Sequence, residues 1–328
     1  ALLALAGGLL LALYLPGSGV WAQTPGGVGS QAIVQLYKLV ETTTEVQDKF
    51  GWSVALEGNY LVVGASHYTG SNTGKGSVYV FERDANLGWK RVGKLNPEDG
   101  QEGDWFGYAV AISGDTIVVG APRADVNNRQ DAGAAYVFYR DVGANNWSQV
   151  AKLTSSDVYT DNRLGTAVAI EGNTIVLGAP RANASASLLD TGSVYVFYYS
   201  SDQWNQFKKL SASNPLSYTR FGTSLALDGD TLVVGAPQPG FKHSSDPSKD
   251  VPPGRGAAYV FERNEGGNDQ WGQVRELTAS DILTGDQFGV CVDIAGDTIV
   301  VGAHQPGSTS WSISPGPGAA YIFERNAG

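Results

Sequence analysis

Short apolar runs rich in Val and Ile recur along the chain, separated by breaks centred on glycine. The clearest stretch is Phe106-Gly-Tyr-Ala-Val-Ala-Ile-Ser-Gly-Asp-Thr-Ile-Val-Val-Gly-Ala-Pro122. Val110 and Ile112 belong to one run, and Ile117 and Val119 to the next. Gly114-Asp115 between them tolerates the positive φ of a tight hairpin turn. Residues 116–121 are almost continuously apolar, as expected of a strand covered on both faces. An aromatic run follows, Ala135-Tyr-Val-Phe138, and then a run that opens on Trp147 and closes on Leu153. The pattern predicts a meander of four short antiparallel strands.

The same pattern begins again at Phe50, Leu164, Phe221 and Phe288, so that successive copies start 56, 58, 57 and 67 residues apart. A fixed period of this size marks a repeat architecture. The hairpin turn recurs as Gly58-Asn59, Gly172-Asn173, Gly229-Asp230 and Gly296-Asp297, and the fourth run opens on Trp89, Trp204 and Trp271. Repeated four-stranded sheets with little sign of helix predict an all-β chain, a β-propeller of five four-stranded antiparallel blades that cover each other's faces. A β-solenoid is the competing repeat fold, but its rungs are shorter and lack two-residue hairpins.

Phe-Gly followed by Gly-Ala-Pro, as in Phe106-Gly107 with Gly120-Ala121-Pro122 and Phe221-Gly222 with Gly235-Ala236-Pro237, resembles the FG-GAP repeat of integrin α-subunit propellers and of many secreted bacterial and algal proteins. The resemblance covers residues 31–328. It implies an extracellular propeller, seven blades being usual, often with a calcium loop Asp-x-Asp-x-Asp-Gly between the first two strands of a blade. Here that place holds only Glu57-Gly58-Asn59, Ser113-Gly114-Asp115, Glu171-Gly172-Asn173, Asp228-Gly229-Asp230 and Ala295-Gly296-Asp297. Calcium needs about six to eight oxygens. The family's calcium loops therefore do not carry over, and no metal or other cofactor is expected. Asp48, Asp104, Asn162, Thr219 and Asp286, two positions before each Phe-Gly or Leu-Gly pair, are expected to accept local backbone hydrogen bonds.

Ala1 to Leu15 is an apolar run followed by Pro16-Gly-Ser-Gly19 and Val20-Trp21-Ala22. Residues 1–22 read as a secretory signal without its basic start, and the run is shorter than the roughly 20 residues of a membrane span. Residues 23–30 are a Gly-rich linker. Ile33 to Leu39 aligns with Trp147 to Leu153, a fourth strand with no blade before it, while the last copy stops after its third strand. Either 33–39 pairs beside 320–325 and closes a five-bladed ring, or these blades are part of a larger propeller.

Charge narrows the partner classes. The net charge is −10 and no basic run stands out, which argues against nucleic acid. The single cysteine, Cys291, replaces Ala or Ser of other copies and is expected to be a small buried residue with no disulfide. The repeated Trp residues read as plugs between blades in preference to sugar-stacking platforms. His67, His243 and His304 lack zinc-site spacing, and no catalytic triad stands out. A propeller-type glycoside hydrolase needs two carboxylates about 5 to 10 Å apart. Along the first strands only Asp293 departs from the apolar pattern, so an enzyme is not expected.

In an up-and-down blade the loops between strands two and three, and those between blades, emerge on the face opposite the Gly-Asp turns. Insertions there mark binding faces in repeat proteins. At the loop root each copy has one polar residue, His67, Arg123, Arg181, Gln238 and Gln305, which either ring the channel mouth or simply solvate the loop. The longest inserts, Pro237 to Arg255 and His304 to Pro317, add Phe241, Lys242, His243, Arg255 and Trp311, aromatic and basic types common at interfaces. The sequence thus predicts a secreted, periplasmic or cell-surface module that binds an extracellular protein or glycan and has no stable membrane span. A scaffold segment of a larger surface protein is the other non-enzymatic reading.

Overall fold

The computed structural model describes residues 37–40, 49–66, 74–84, 88–144, 146–238, 254–304 and 318–325. The chain separates into two compact units, 1–39 and 40–328. In the first only 37–39 are described, and they carry no regular secondary structure. The signal and linker predicted over 1–30 lie outside the described residues.

The second unit is a five-bladed β-propeller. Its first blade is β1 (Phe50–Glu57), β2 (Tyr60–Ala65), β3 (Ser77–Asp84) and β4 (Gly88–Leu95), and its second β5 (Ala109–Ser113), β6 (Thr116–Ala121), β7 (Ala134–Asp141) and β8 (Asn146–Leu153). The third runs through β9 (Ala167–Glu171), β10 (Thr174–Ala179), β11 (Ser193–Ser200) and β12 (Gln203–Leu210). The fourth comprises β13 (Ser224–Asp228), β14 (Thr231–Ala236), β15 (Ala257–Glu262) and β16 (Gly272–Leu277). The fifth has β17 (Cys291–Ala295), β18 (Thr298–Ala303) and β19 (Ala319–Glu324). Strands pair antiparallel in chain order within each sheet, and inner strands of successive blades pack on one another, β1 on β5, then β9, β13 and β17. Among the described residues the fifth sheet has three strands. The pairing of 33–39 with 320–325 is not seen there: 37–39 form no strand, and 33–36 lie outside the described residues.

The Phe-Gly pair has a local cause. In every copy the carbonyl of the residue before Phe or Leu accepts the N–H three positions on, as from Tyr108 N to Trp105 O at 3.1 Å. This closes a β-turn whose third residue needs positive φ, and Gly107 supplies it at 86°. The glycine of the Gly-Ala pair has a tertiary cause. A Cβ at Gly64, Gly120, Gly178 or Gly235 would stand 2.0 to 2.2 Å from the carbonyl oxygen of the next blade's turn glycine, so blades meet backbone to backbone.

Hydrophobic faces fill the rest of each junction. Val62, Val78 and Val80 of the first blade share one core cluster with Phe106, Val110, Ile112, Ile117, Tyr136 and Phe138 of the second. Trp147 is buried in the same cluster and lies edge-on to Tyr60, while the Trp271 indole N–H donates to the Tyr198 hydroxyl at 2.8 Å. Both rings plug junctions with the preceding blade. On the turn face the blades are linked in series: Glu57, Ser113, Glu171 and Asp228 accept from the backbone N–H of Gly114, Gly172, Gly229 and Gly296.

Among the described residues the two end faces lack this cover. Val300, Ala320 and Ile322 of the fifth blade are exposed, Ile322 by 69 %, although their counterparts in the other four blades are buried. Val54 and Leu56 of the first blade are likewise exposed, and a Cβ on Gly51 would meet nothing within 4 Å. Cys291 is exposed, contrary to the sequence expectation. Its counterparts Ser53 and Ser224 donate to the carbonyls of Gly107 and Gly289 in the following blade, and no described blade follows the fifth. The residue type was read from neighbours that are covered, and Cys291 is not.

Candidate functional site: an arginine network on the loop face

The residue before each Phe-Gly or Leu-Gly pair adopts positive φ in all copies: Lys49, Trp105, Arg163, Arg220 and Gln287, between 50° and 59°. Side chains with a Cβ pay roughly 1–2 kcal/mol for this conformation. Recurrent strain of that kind is a reason to look for function at the strained residues. Here the conformation also serves the fold, because it lets each residue's carbonyl close the turn that carries the glycine.

Three of these side chains enter one network with loop residues of the second to fourth blades. The Arg123 guanidinium pairs with Asp131, its Nε 3.1 Å from both carboxylate oxygens, and sits 4.7 Å from the centre of the Trp105 ring. Arg163 lies 5.9 Å from the same ring and pairs with Asp161 at 2.8 Å. Arg181 takes the other Asp161 oxygen and approaches Asp190 at 4.0 Å. Arg220 approaches the same Asp190 oxygen at 3.9 Å. Backbone bonds set these positions, since Arg163 N and Arg220 N donate to Asp131 O and Asp190 O, and Arg123 N and Arg181 N to Asp104 O and Asn162 O.

The charges are not evenly matched. Arg163, Arg181 and Arg220 share Asp161 and Asp190, and the Arg220 Nε is buried without a hydrogen-bond partner. Burial pulls the Arg220 pKa below its ordinary value, aided by the like charge of Arg181 and opposed by Asp190. Burial likewise raises the Asp190 carboxyl, against the pull of Arg181 and Arg220.

Beside the network, Tyr136 and Lys152 both donate to Asp99, and Tyr195 and Lys209 to Asp157. These triads tie the loop before a blade to its third and fourth strands. Burial and the carboxylate acceptor hold both tyrosines far above the ordinary phenol pKa. In the fourth blade Asn214 and Glu276 replace the Asp and Lys, and a cavity of about 310 Å³ opens there, lined by Thr219, Gln238, Arg255 and Tyr259 among others.

The FG-GAP repeat pattern matches residues 34–81, 89–138, 147–197, 204–261 and 271–323. The chain belongs to the FG-GAP repeat family. The four matches from residue 89 onward run from the Trp-bearing end of one blade into the third strand of the next, so an FG-GAP unit spans a blade junction. No curated protein is similar enough to the chain to count as a match.

Among the FG-GAP loop residues predicted from sequence, Arg123 and Arg181 join the network, while Gln238 and Arg255 line the neighbouring cavity. His67, Phe241, Lys242, His243, Gln305 and Trp311 lie outside the described residues. Sequence reading missed Trp105, Arg163, Arg220 and their partners Asp131, Asp161 and Asp190. The available signal was positional, because three of the six, Trp105, Arg163 and Arg220, sit directly before a Phe-Gly or Leu-Gly pair. The acidic set just inside the turns acts locally: Asp104 and Asp286 accept from the backbone N–H of Gln101 and Leu283 at 2.8 and 2.7 Å.

Among the described residues no helix is long and apolar enough to cross a membrane, and no group of His, Cys, Asp or Glu could hold a metal ion.

Proposed function

We propose that the chain is an extracellular binding or adhesion module that engages its partner through the loop face and performs no catalysis. The observation that carries this reading is the arginine network, built from residues of three blades on the face that also bears the long inserts. Membership of the FG-GAP family supports the extracellular setting. The carboxylates of the network support binding over catalysis, because Asp131, Asp161 and Asp190 are each engaged by guanidinium groups of the same network. The inserts carrying Phe241 and Trp311 extend the proposed surface on sequence grounds.

The test is binding of the whole chain to an array of immobilised extracellular proteins and glycans. Arg181→Gln is expected to lower the signal at least about fivefold, in the range for losing one partner of a partly buried charge pair. Lys90→Gln, an equal charge change at an exposed residue of β4, is expected to leave it unaltered. Equal binding by both variants places the site elsewhere.

A further inference from the structure

Resting on that loop-face reading, we propose that the Arg163–Arg181–Arg220 end of the network docks a carboxylate side chain of a partner protein, an Asp or Glu set among apolar residues. Three guanidinium groups share two carboxylates there, so one positive charge lacks a full counter-charge. Arg220 is the residue left short. Among the described residues its side chain has no contact with a carboxylate closer than the 3.9 Å approach to Asp190, and its Nε makes no hydrogen bond. The Nε itself is buried, so an incoming carboxylate would meet the two terminal nitrogens of the partly exposed guanidinium, which can donate two parallel hydrogen bonds.

The surroundings favour a protein as the source. Leu189 adjoins Asp190, and Leu216 lies in the segment that ends at Arg220; both are exposed. The two loops are joined by hydrogen bonds from Tyr218 N to Leu189 O and from Arg220 N to Asp190 O. Exposed apolar side chains thus stand next to Asp190 and four residues before Arg220 in the chain, on a pair of loops joined by backbone hydrogen bonds, which suits an acidic residue flanked by apolar ones. A sugar acid would instead use a ring platform, and Trp105 is buried with its ring beside Tyr108 and Arg123.

The experiment titrates the full chain with capped pentapeptides that carry a central Asp or Glu between Leu or Phe residues, with the same peptides bearing Asn or Gln, and with oligogalacturonate. The acidic peptides are expected to bind at least about tenfold more tightly than their amide twins, with the difference shrinking as salt rises. Arg220→Gln is expected to abolish that difference, Arg220→Lys to restore part of it, and Lys90→Gln to leave it intact. Urea midpoints of each variant separate lost binding from lost folding. Absence of acidic-peptide binding, equal binding of the amide twins, an unchanged preference in a folded Arg220→Gln chain, or stronger binding of oligogalacturonate each overturns the proposal. If the peptide arms fail while array binding stays sensitive to Arg181→Gln, the carboxylate assignment falls and the loop-face reading stands. If array binding is also insensitive, both fall.

Discussion

Gly120 stands against the carbonyl oxygen of Gly165 across the junction of the second and third blades, so closely that a Cβ on Gly120 would lie 2.0 Å from that oxygen. Each atom belongs to the backbone of a different sheet, and neither can turn aside. Gly120→Ala is therefore expected to destabilise the protein by about 3 kcal/mol through forced separation of the blades. Gly302→Ala in the fifth blade meets only the Cys291 Sγ, an exposed side chain free to rotate, and is expected to cost less than about 1.5 kcal/mol. Urea midpoints of the two variants decide it, and equal losses would refute the backbone-contact account.

Burial sets a second contrast. Phe106 is fully buried and lies edge-on to Tyr136 and Phe138 at 5.6 and 6.0 Å between ring centres. Phe106→Ala is expected to cost about 3–5 kcal/mol. Ile322→Ala, on the uncovered face of the fifth blade, is expected to change stability by no more than about 0.5 kcal/mol. A large loss at Ile322 in dilute solution would show that this face is covered there.

The Asp99 triad has a pH signature. Burial works to raise its carboxyl pKa, but hydrogen bonds from Lys152 and Tyr136 outweigh it and hold the value below 3.8. A carboxylate whose folded pKa is depressed contributes stability that is present above its unfolded pKa and lost as pH falls through the folded one. The stability difference between the unaltered chain and Asp99→Asn is thus expected to be constant above about pH 5 and to shrink steadily below about pH 4. Urea titrations across that range measure it. A gap that widens on acidification contradicts the assigned direction.

Calcium is expected to leave the thermal midpoint unchanged, as is a chelator. The short Gly-Asp turns offer few oxygens, and their carboxylates are held by arginines: Asp115 by Arg140 at 2.6 Å, Asp230 by Arg263 at 3.3 Å and Asp297 by Arg325 at 3.7 Å. Binding to the folded state alone raises the midpoint with ligand concentration. A rise of several degrees with calcium would identify a metal site at these turns or in the loops.

Much of the architecture was legible because each blade solves the same local problem. Hairpin turns at Gly114-Asp115 and its counterparts, β-branched runs such as 116–121, and tryptophans at a repeated place all answer to steric and hydrophobic rules that act over a few residues. These rules alone determined strand order, the recurrence of five copies and the plugging role of Trp147 and Trp271, while leaving open whether the five blades close on themselves or belong to a larger propeller. What lay beyond them depended on distances between blades. Cys291 has the residue type of a buried position, yet only the neighbour across a junction decides burial, and among the described residues the fifth blade's face has none. Arg123 and Arg181 were legible as polar loop roots, but the network they enter was hidden for the same reason. Arg163, Arg181 and Arg220 are far apart in the chain and unremarkable in type, and only the stacking of three blades brings them to two shared carboxylates, where the burial that comes with packing makes their charge matter.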